Sequence, residues 1–225
     1  MSRVFEVDPQ HPEDAAEAVV AAADAIMASQ LAIVPTETVY GILARPDERR
    51  ATAGIFRVKQ RPEGLNLPVL ARSTERAWEI GAPNRAAALL AGAFWPGPLT
   101  LVLPRTERSR PWPLGDRGRS IGVRVPDHQI CAALLERCGP LAATSANVSG
   151  DPPLGDGEAL VSAFGSEIAV YLVLRAGAGA EGVASTVVDV LDDGLRVLRQ
   201  GAITPDQLRD ALGRPDTSGQ SVDSG

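Results

Sequence analysis

Short apolar runs that stop at polar, proline-bearing loops constrain this chain more than any other feature of its sequence. In Ile33-Val34-Pro35-Thr36-Glu37-Thr38-Val39-Tyr40-Gly41 an apolar run breaks at a proline into two hydroxyls around a carboxylate, then an aromatic and a glycine. Lys59-Gln60-Arg61-Pro62 has the same character, and Leu141-Ala142-Ala143 runs out into Thr144-Ser145-Ala146-Asn147-Val148-Ser149-Gly150. Runs this short, bounded by turn formers, read as buried strands. All three stretches are expected to be site loops carried on strand ends.

Helical patterns alternate with these runs. Residues 12–29 predict an amphipathic helix leading into a strand over 31–34. Asp47 is a candidate cap for a helix running to Val58, which places Lys59 at a helix C-terminus before a strand over 67–70. Ser73 and Asn84 are caps for two more helices, the second ending near Phe94, and Trp95-Pro96-Gly97-Pro98 forces a turn before a strand over 99–103. The Arg-, Pro- and Gly-rich segment 104–118 reads as an exposed, mobile loop. A strand over 120–125, a helix over 128–138 and a strand over 141–143 predict a β-α-β unit. Beyond the loop 151–157 come a helix to Phe164, a strand over 168–174, and a hairpin of strands over 185–190 and 195–199 across Asp192-Asp193-Gly194. Thr204-Pro205-Asp206-Gln207 is a capping box opening a last helix to Leu212. This alternation predicts one α/β domain over residues 1–212, with a twisted mixed sheet flanked by helices and an open concave site. Residues 213–225 read as a disordered tail.

Composition bounds the function. A chain of 225 residues with 44% apolar content can build its own core. A net charge of −6 and a pI near 5.0 argue against a protein that coats nucleic acid and favour a small anionic substrate. Glu17 and Asp24 interrupt the alanine-rich N-terminal run, so it reads as neither signal peptide nor membrane span, and a cytoplasmic location without a membrane partner is expected. Cys131 and Cys138, seven apart, give no disulfide framework and no zinc quartet; they read as reduced thiols on a core-facing stripe.

Gly177-Ala178-Gly179-Ala180-Glu181-Gly182 has the spacing of a dinucleotide loop, but the β-branched run after it predicts a strand where a pyrophosphate needs a helix N-terminus. His11 and His128 are the only histidines. His128 reads as a cap or surface residue, and Glu37 and Asp127 are too isolated for a paired-carboxylate site. Catalysis would then rest on positioning and charge neutralisation. Lys59 is the single lysine beside 21 arginines, which hints at a need for a compact ammonium. Lys59 and Arg61 put two cations on one loop, and Arg124 and Arg199 stand at the polar ends of strands beside hydroxyl-rich loops. Such groups suit triphosphate and carboxylate partners. Ser145, Asn147 and Ser149 add neutral donors and hard oxygen ligands for magnesium.

Six motifs, in order, carry a family resemblance: Pro35 to Gly41, Lys59-Gln60-Arg61, Trp95-Pro96-Gly97-Pro98-Leu99-Thr100, Val123-Arg124-Val125-Pro126-Asp127-His128, Thr144 to Gly150, and Ala184-Ser185-Thr186-Val187-Val188-Asp189. Together they resemble the YrdC-like threonylcarbamoyl-AMP synthases, in the short form that lacks an extra C-terminal domain. The resemblance implies a nucleotidyltransferase that converts L-threonine, bicarbonate and ATP, with Mg2+ carried by the nucleotide, into threonylcarbamoyl-AMP and pyrophosphate. The product serves N6-threonylcarbamoyladenosine modification of tRNA, with tRNA or a threonylcarbamoyl-transferase complex as partner. It further implies Lys59 and Arg61 as catalytic residues, and Lys59, Arg61, Ser120, Ser145, Asn147 and Arg199 at ATP. Thr36, Thr38, Arg124, Ala143 and Ser185 would face threonine, with Arg124 on its carboxylate. No metal cluster is implied beyond Ser145 or Asn147 touching nucleotide-borne magnesium. Many members have a histidine where this chain has Leu70, and Asn66-Leu67 also departs from them, whereas Pro68-Val69-Leu70 follows a subset of the family. The alternatives are an RNA-binding module of the same fold and a paralogue that hands a carbamoyl-adenylate to another acceptor.

Overall fold

The computed structural model describes residues 2–8, 10–60, 66–115, 118–147, 153–175, 182–191 and 194–213. In chain order the elements are β1 (Arg3–Val7), a 3-10 turn (Pro12–Ala15) leading into α1 (Ala16–Met27), β2 (Ala32–Val34), β3 (Gly41–Ala44), α2 (Arg49–Val58), β4 (Val69–Leu70), α3 (Thr74–Trp78) and α4 (Arg85–Phe94). There follow β5 (Leu99–Pro104), β6 (Ser120–Arg124), α5 (Gln129–Cys138), β7 (Leu141–Ser145), α6 (Gly157–Phe164), β8 (Val170–Leu174), β9 (Thr186–Asp189), β10 (Arg196–Arg199) and α7 (Pro205–Gly213).

Local chemistry sets the helix ends. Asn84 Oδ1 accepts the Ala87 N–H at 2.9 Å, and Ser73 Oγ accepts from Arg76. Thr204 and Gln207 form the reciprocal capping box, at 2.8 and 3.3 Å. Asp47 is not a cap. Its carboxylate takes both a 3.0 and a 2.8 Å bond from Arg45, and Glu48 occupies the cap position of α2.

Among the described residues the strands form one mixed sheet in the order β1-β8-β2-β3-β7-β4-β6-β5-β9-β10. The expected α/β architecture is therefore present, but two of its strands were unforeseen. β1 lies at a sheet edge, mostly exposed, and pairs with β8 more than 160 residues away; β3 is only four residues long. The expected β-α-β unit does not form. β6 and β7 are separated by β4, which runs parallel to β6 and antiparallel to β7, so the strands on either side of α5 oppose each other. β9 and β10 are antiparallel as expected; Asp192 and Asp193 of their turn lie outside the described residues, as do residues 177–181 of the glycine-rich loop. Gly213, expected to begin the tail, ends α7, and the rest of the tail is outside the described residues.

Strand alternation sorts side chains into two layers. One face (Ile33, Ile42, Val69, Leu101, Val123, Ala142, Tyr171, Val188) packs against α2, α3, α4, α6 and α7. The other face (Ala32, Val34, Leu43, Leu70, Leu141, Ala143, Leu172) packs only against α1 and α5. Alanines dominate the buried side of α1, which lets it lie close to the sheet. That cover stops at β4, so the second face of β6, β5 and β9 carries Ser120, Gly122, Arg124, Thr100 and Val187 instead.

The segment 104–118, expected to be mobile, is tied down where it is described. The buried Arg105 guanidinium donates to the carbonyls of Ser109 (3.2 Å), Trp112 (2.8 Å) and Ser120 (3.0 Å), Leu114 is buried in the core, and its carbonyl accepts the Leu67 N–H at 2.7 Å. A buried cation whose Nε and Nη1 donate to backbone carbonyls makes this loop part of the structure.

Candidate active site

The loops that follow α2, β2 and β7 come together at the end of β7. Lys59 caps the C-terminus of α2 and is 3% exposed, while Gln60 takes a positive φ of 49° that ends the helix. The Lys59 ammonium donates to Ser145 O (2.9 Å), Asn147 O (2.6 Å) and Asn147 Oδ1 (2.7 Å). Three oxygens around one point suit an ammonium and not a planar fork, which accounts for the lone lysine. Ser145 Oγ donates to Asn147 Oδ1 at 2.6 Å, so Lys59, Ser145 and Asn147 form one connected group. Arg61 lies outside the described residues.

Pairing of β3 with β7 sets Gly41 opposite Ser145, and the Tyr40 carbonyl accepts the Ala146 N–H at 2.7 Å. The 35–40 loop and the 145–147 loop are thereby fixed side by side. Thr36 Oγ1 donates to Val39 O (2.6 Å) and accepts from the Thr38 and Val39 N–H groups, so it staples its own loop. Thr38 Oγ1 lies 3.0 Å from Thr36 Oγ1 and accepts from Arg124 Nη2 at 3.0 Å. Both threonines therefore sit at the guanidinium, Thr38 in direct contact.

Arg124 is nearly buried. Nε donates to Gly97 O at 3.1 Å, and Nη2 donates to Glu37 Oε1 at 2.7 Å. Gly97 belongs to the Trp-Pro-Gly-Pro turn, where a Cβ would come within 2.6 Å of Phe94 O; glycine lets that turn present its carbonyl to Arg124. Among the described residues Glu37 has no carboxylate partner but a cationic one. Its partner is 87 residues away, and only the strand order brings them together.

A hydroxyl group completes the floor. Thr100 Oγ1 and Ser185 Oγ, both buried, are 3.0 Å apart, and Arg199 Nη2 donates to Ser185 Oγ (3.1 Å) and Ser185 O (2.9 Å). Thr100 was quoted in a motif but not foreseen at the site; alternation along β5 would have placed it there. A bulge in β10 sets Val197 opposite Val188 but Arg199 opposite Val187, so two residues oppose one and Arg199 joins the uncovered face. The Ser120 carbonyl is held by Asn66 Nδ2 at 2.9 Å as well as by Arg105. Ala143 and Leu70 are both buried in the cluster under α1 and α5.

The ionisable groups nearby are not built for base or nucleophile chemistry. His128 caps α5, its Nδ1 accepting the Cys131 N–H at 3.4 Å, and burial holds its pKa below the ordinary histidine value while Glu37 and Asp127 oppose that shift. Burial pushes the Cys131 thiol up to about 12. Among the described residues no group of three or more His, Cys, Asp or Glu could hold a metal ion, and no helix is long and apolar enough to cross a membrane. What the arrangement offers is buried cations and hydroxyls held in place by the backbone, suited to holding anions in a fixed geometry.

Comparison with known proteins agrees with this geometry. The model of the Sua5/YciO/YrdC family, described as "Telomere recombination", matches residues 24–201. A Mycobacterium tuberculosis protein provisionally named threonylcarbamoyl-AMP synthase is 38% identical over 208 residues, covering 92% of this chain and 94% of that one. A threonylcarbamoyl-AMP synthase of Pyrococcus abyssi is 35% identical over 210 residues, covering 90% of this chain and 61% of that one. The crystal structure of P. abyssi Sua5 complexed with L-threonine superposes with a TM-score of 0.76 at 30% identity, over all of this chain and 65% of that one. The chain thus spans nearly all of the mycobacterial relative and about two thirds or less of the archaeal ones.

Proposed function

This chain belongs to the Sua5/YciO/YrdC family, and from that membership we propose that it is an L-threonylcarbamoyladenylate synthase, a nucleotidyltransferase acting on L-threonine, bicarbonate and ATP. The observation that carries the proposal is that β3–β7 pairing holds two cationic groups, Lys59–Ser145–Asn147 and Arg124–Thr38–Glu37, on loops fixed side by side. Relatives named as this synthase and a threonine complex of similar fold support it.

In this reading Arg124 receives the threonine carboxylate, with Thr36, Thr38 and Ser185 around the rest of the amino acid; the Ala143 side chain packs under α1 and α5 instead. Lys59, Arg61, Ser120, Ser145, Asn147 and Arg199 hold the nucleotide. The amine joins bicarbonate with loss of water to give a carbamate. A carbamate oxygen then attacks the α-phosphorus, and the bond to the bridging oxygen breaks as pyrophosphate leaves. Fixing the two reactants in attack geometry supplies on the order of 7–11 kcal/mol, so no dedicated base is obligatory. Lys59 and Arg199 offset charge that builds on the phosphate oxygens.

Direct magnesium ligation by Ser145 or Asn147 does not fit. The Lys59 ammonium lies 2.6–2.9 Å from oxygens of both residues and would repel a dication there. Magnesium entering with ATP is then part of the substrate. The product is a mixed anhydride prone to hydrolysis, which calls for a threonylcarbamoyl transferase or tRNA complex as acceptor, and a cytoplasmic setting where ATP and tRNA are available. The test is pyrophosphate release from ATP by the folded protein. Release that requires both threonine and bicarbonate is expected; no threonine-dependent release overturns the proposal.

A further inference from the structure

We propose that Glu37 binds the α-ammonium of the substrate, so that the Glu37–Arg124 pair recognises an amino acid as a zwitterion. The inference rests on the reading in which Arg124 takes a carboxylate. Arg124 is 8% exposed and Glu37 21%, and they are joined at 2.7 Å through Nη2 and Oε1. The second carboxylate oxygen, Glu37 Oε2, is closed off from solvent and has no hydrogen-bond partner among the described residues. A carboxylate can accept about four hydrogen bonds, so a buried oxygen without one points to a donor that arrives with the ligand.

Charge balance leads to the same place. The pair is already neutral, and an added carboxylate alone would leave a buried negative charge without compensation. A zwitterion avoids this: its carboxylate takes Arg124 donors and its ammonium takes Glu37 Oε2, so one pair becomes two at unchanged net charge. Arg124 stays in place during the exchange because Gly97 O and Thr38 Oγ1 also hold it. Thr36 and Thr38 hydrogen-bond each other beside the pair.

Equilibrium titration of the full chain with L-threonine and with (2S,3R)-2,3-dihydroxybutanoate, which replaces the ammonium by hydroxyl, tests this. Wild-type protein should prefer threonine by at least about tenfold, as a site built for a donor rejects the analogue that lacks it. In Glu37→Gln that preference should collapse, with threonine affinity falling at least about tenfold, hydroxy-acid affinity equal to or above wild type because Arg124 loses its competing carboxylate, and ATP affinity unchanged. Thermal melting at the wild-type temperature establishes that the variant is folded. Equal weakening of both acids would mean that Glu37 acts only by holding Arg124, and unchanged threonine binding would mean that it takes no part; either result overturns the inference. If wild type prefers another α-amino acid, that amino acid and its 2-hydroxy analogue carry the same contrast, which separates a wrong substrate from a wrong role for Glu37. Binding of no amino acid at all refutes both readings.

Discussion

The two halves of a single sheet face have opposite character. Under α1 and α5 the strands present Ala32, Val34, Leu43, Leu70 and Leu141; past β4 they present Ser120, Gly122, Arg124 and Thr100. The change falls between neighbours, since Leu141, Leu70 and Arg124 stand side by side across β7, β4 and β6. The opposite face stays apolar beneath both halves. Polar groups can thus be lined up for a ligand where helical cover stops, while the second layer keeps the strands in place.

Substitutions in the open half and in the site loops beside it should change activity more than stability. Lys59→Ala should lower threonine-dependent pyrophosphate release by about 10²–10³-fold, with a melting shift of only a few degrees; a collapse of stability without this activity loss would break the contrast. The covered half should behave in reverse. Leu134, fully buried on α5, should cost about 2–5 kcal/mol on truncation to alanine, read as a melting point lower by about 2–4 °C per kcal/mol. Specific activity of the folded fraction should stay within about twofold of wild type, the outcome expected when neither site loop depends on that residue. Thr100→Val keeps shape and removes the bond to Ser185. It should reduce turnover about fivefold, the equivalent of one hydrogen bond of about 1 kcal/mol, with an unchanged melt.

The smallest effect is at the boundary, on His128. Because burial lowers its pKa from the ordinary 6.5, the unfolded chain takes up the proton first as pH falls. Its contribution to stability is therefore complete above pH 6.5 and is lost as pH drops toward the folded-state value. His128→Asn retains a capping acceptor and cannot titrate. Denaturant unfolding from pH 7 to 5 should show wild type losing stability relative to the variant; parallel curves would remove His128 from the account.

What was legible in the sequence followed from local chemistry. Ser73, Asn84 and the Thr204–Gln207 box cap because short polar side chains reach nearby N–H groups, and Lys59, Ser145 and Asn147 stood out as polar residues at the ends of apolar runs. What escaped depends on distant partners. β1 needs β8, Glu37 needs Arg124, and Arg105 donates to carbonyls, which carry no sequence signature. Strict alternation from Leu195 and Val197 would have turned Arg199 toward the core. One extra residue, opposite a single partner, turns it outward.

That extra residue also affects the outermost strand. An open sheet exposes unpaired N–H and C=O groups at each edge, and a regular edge invites a strand from another copy of the chain. β10 is only four residues long, bears arginine at both ends, and has its ladder broken in the middle. A second sheet would find no register to extend, so the irregularity that aims Arg199 also guards this edge against polymerisation.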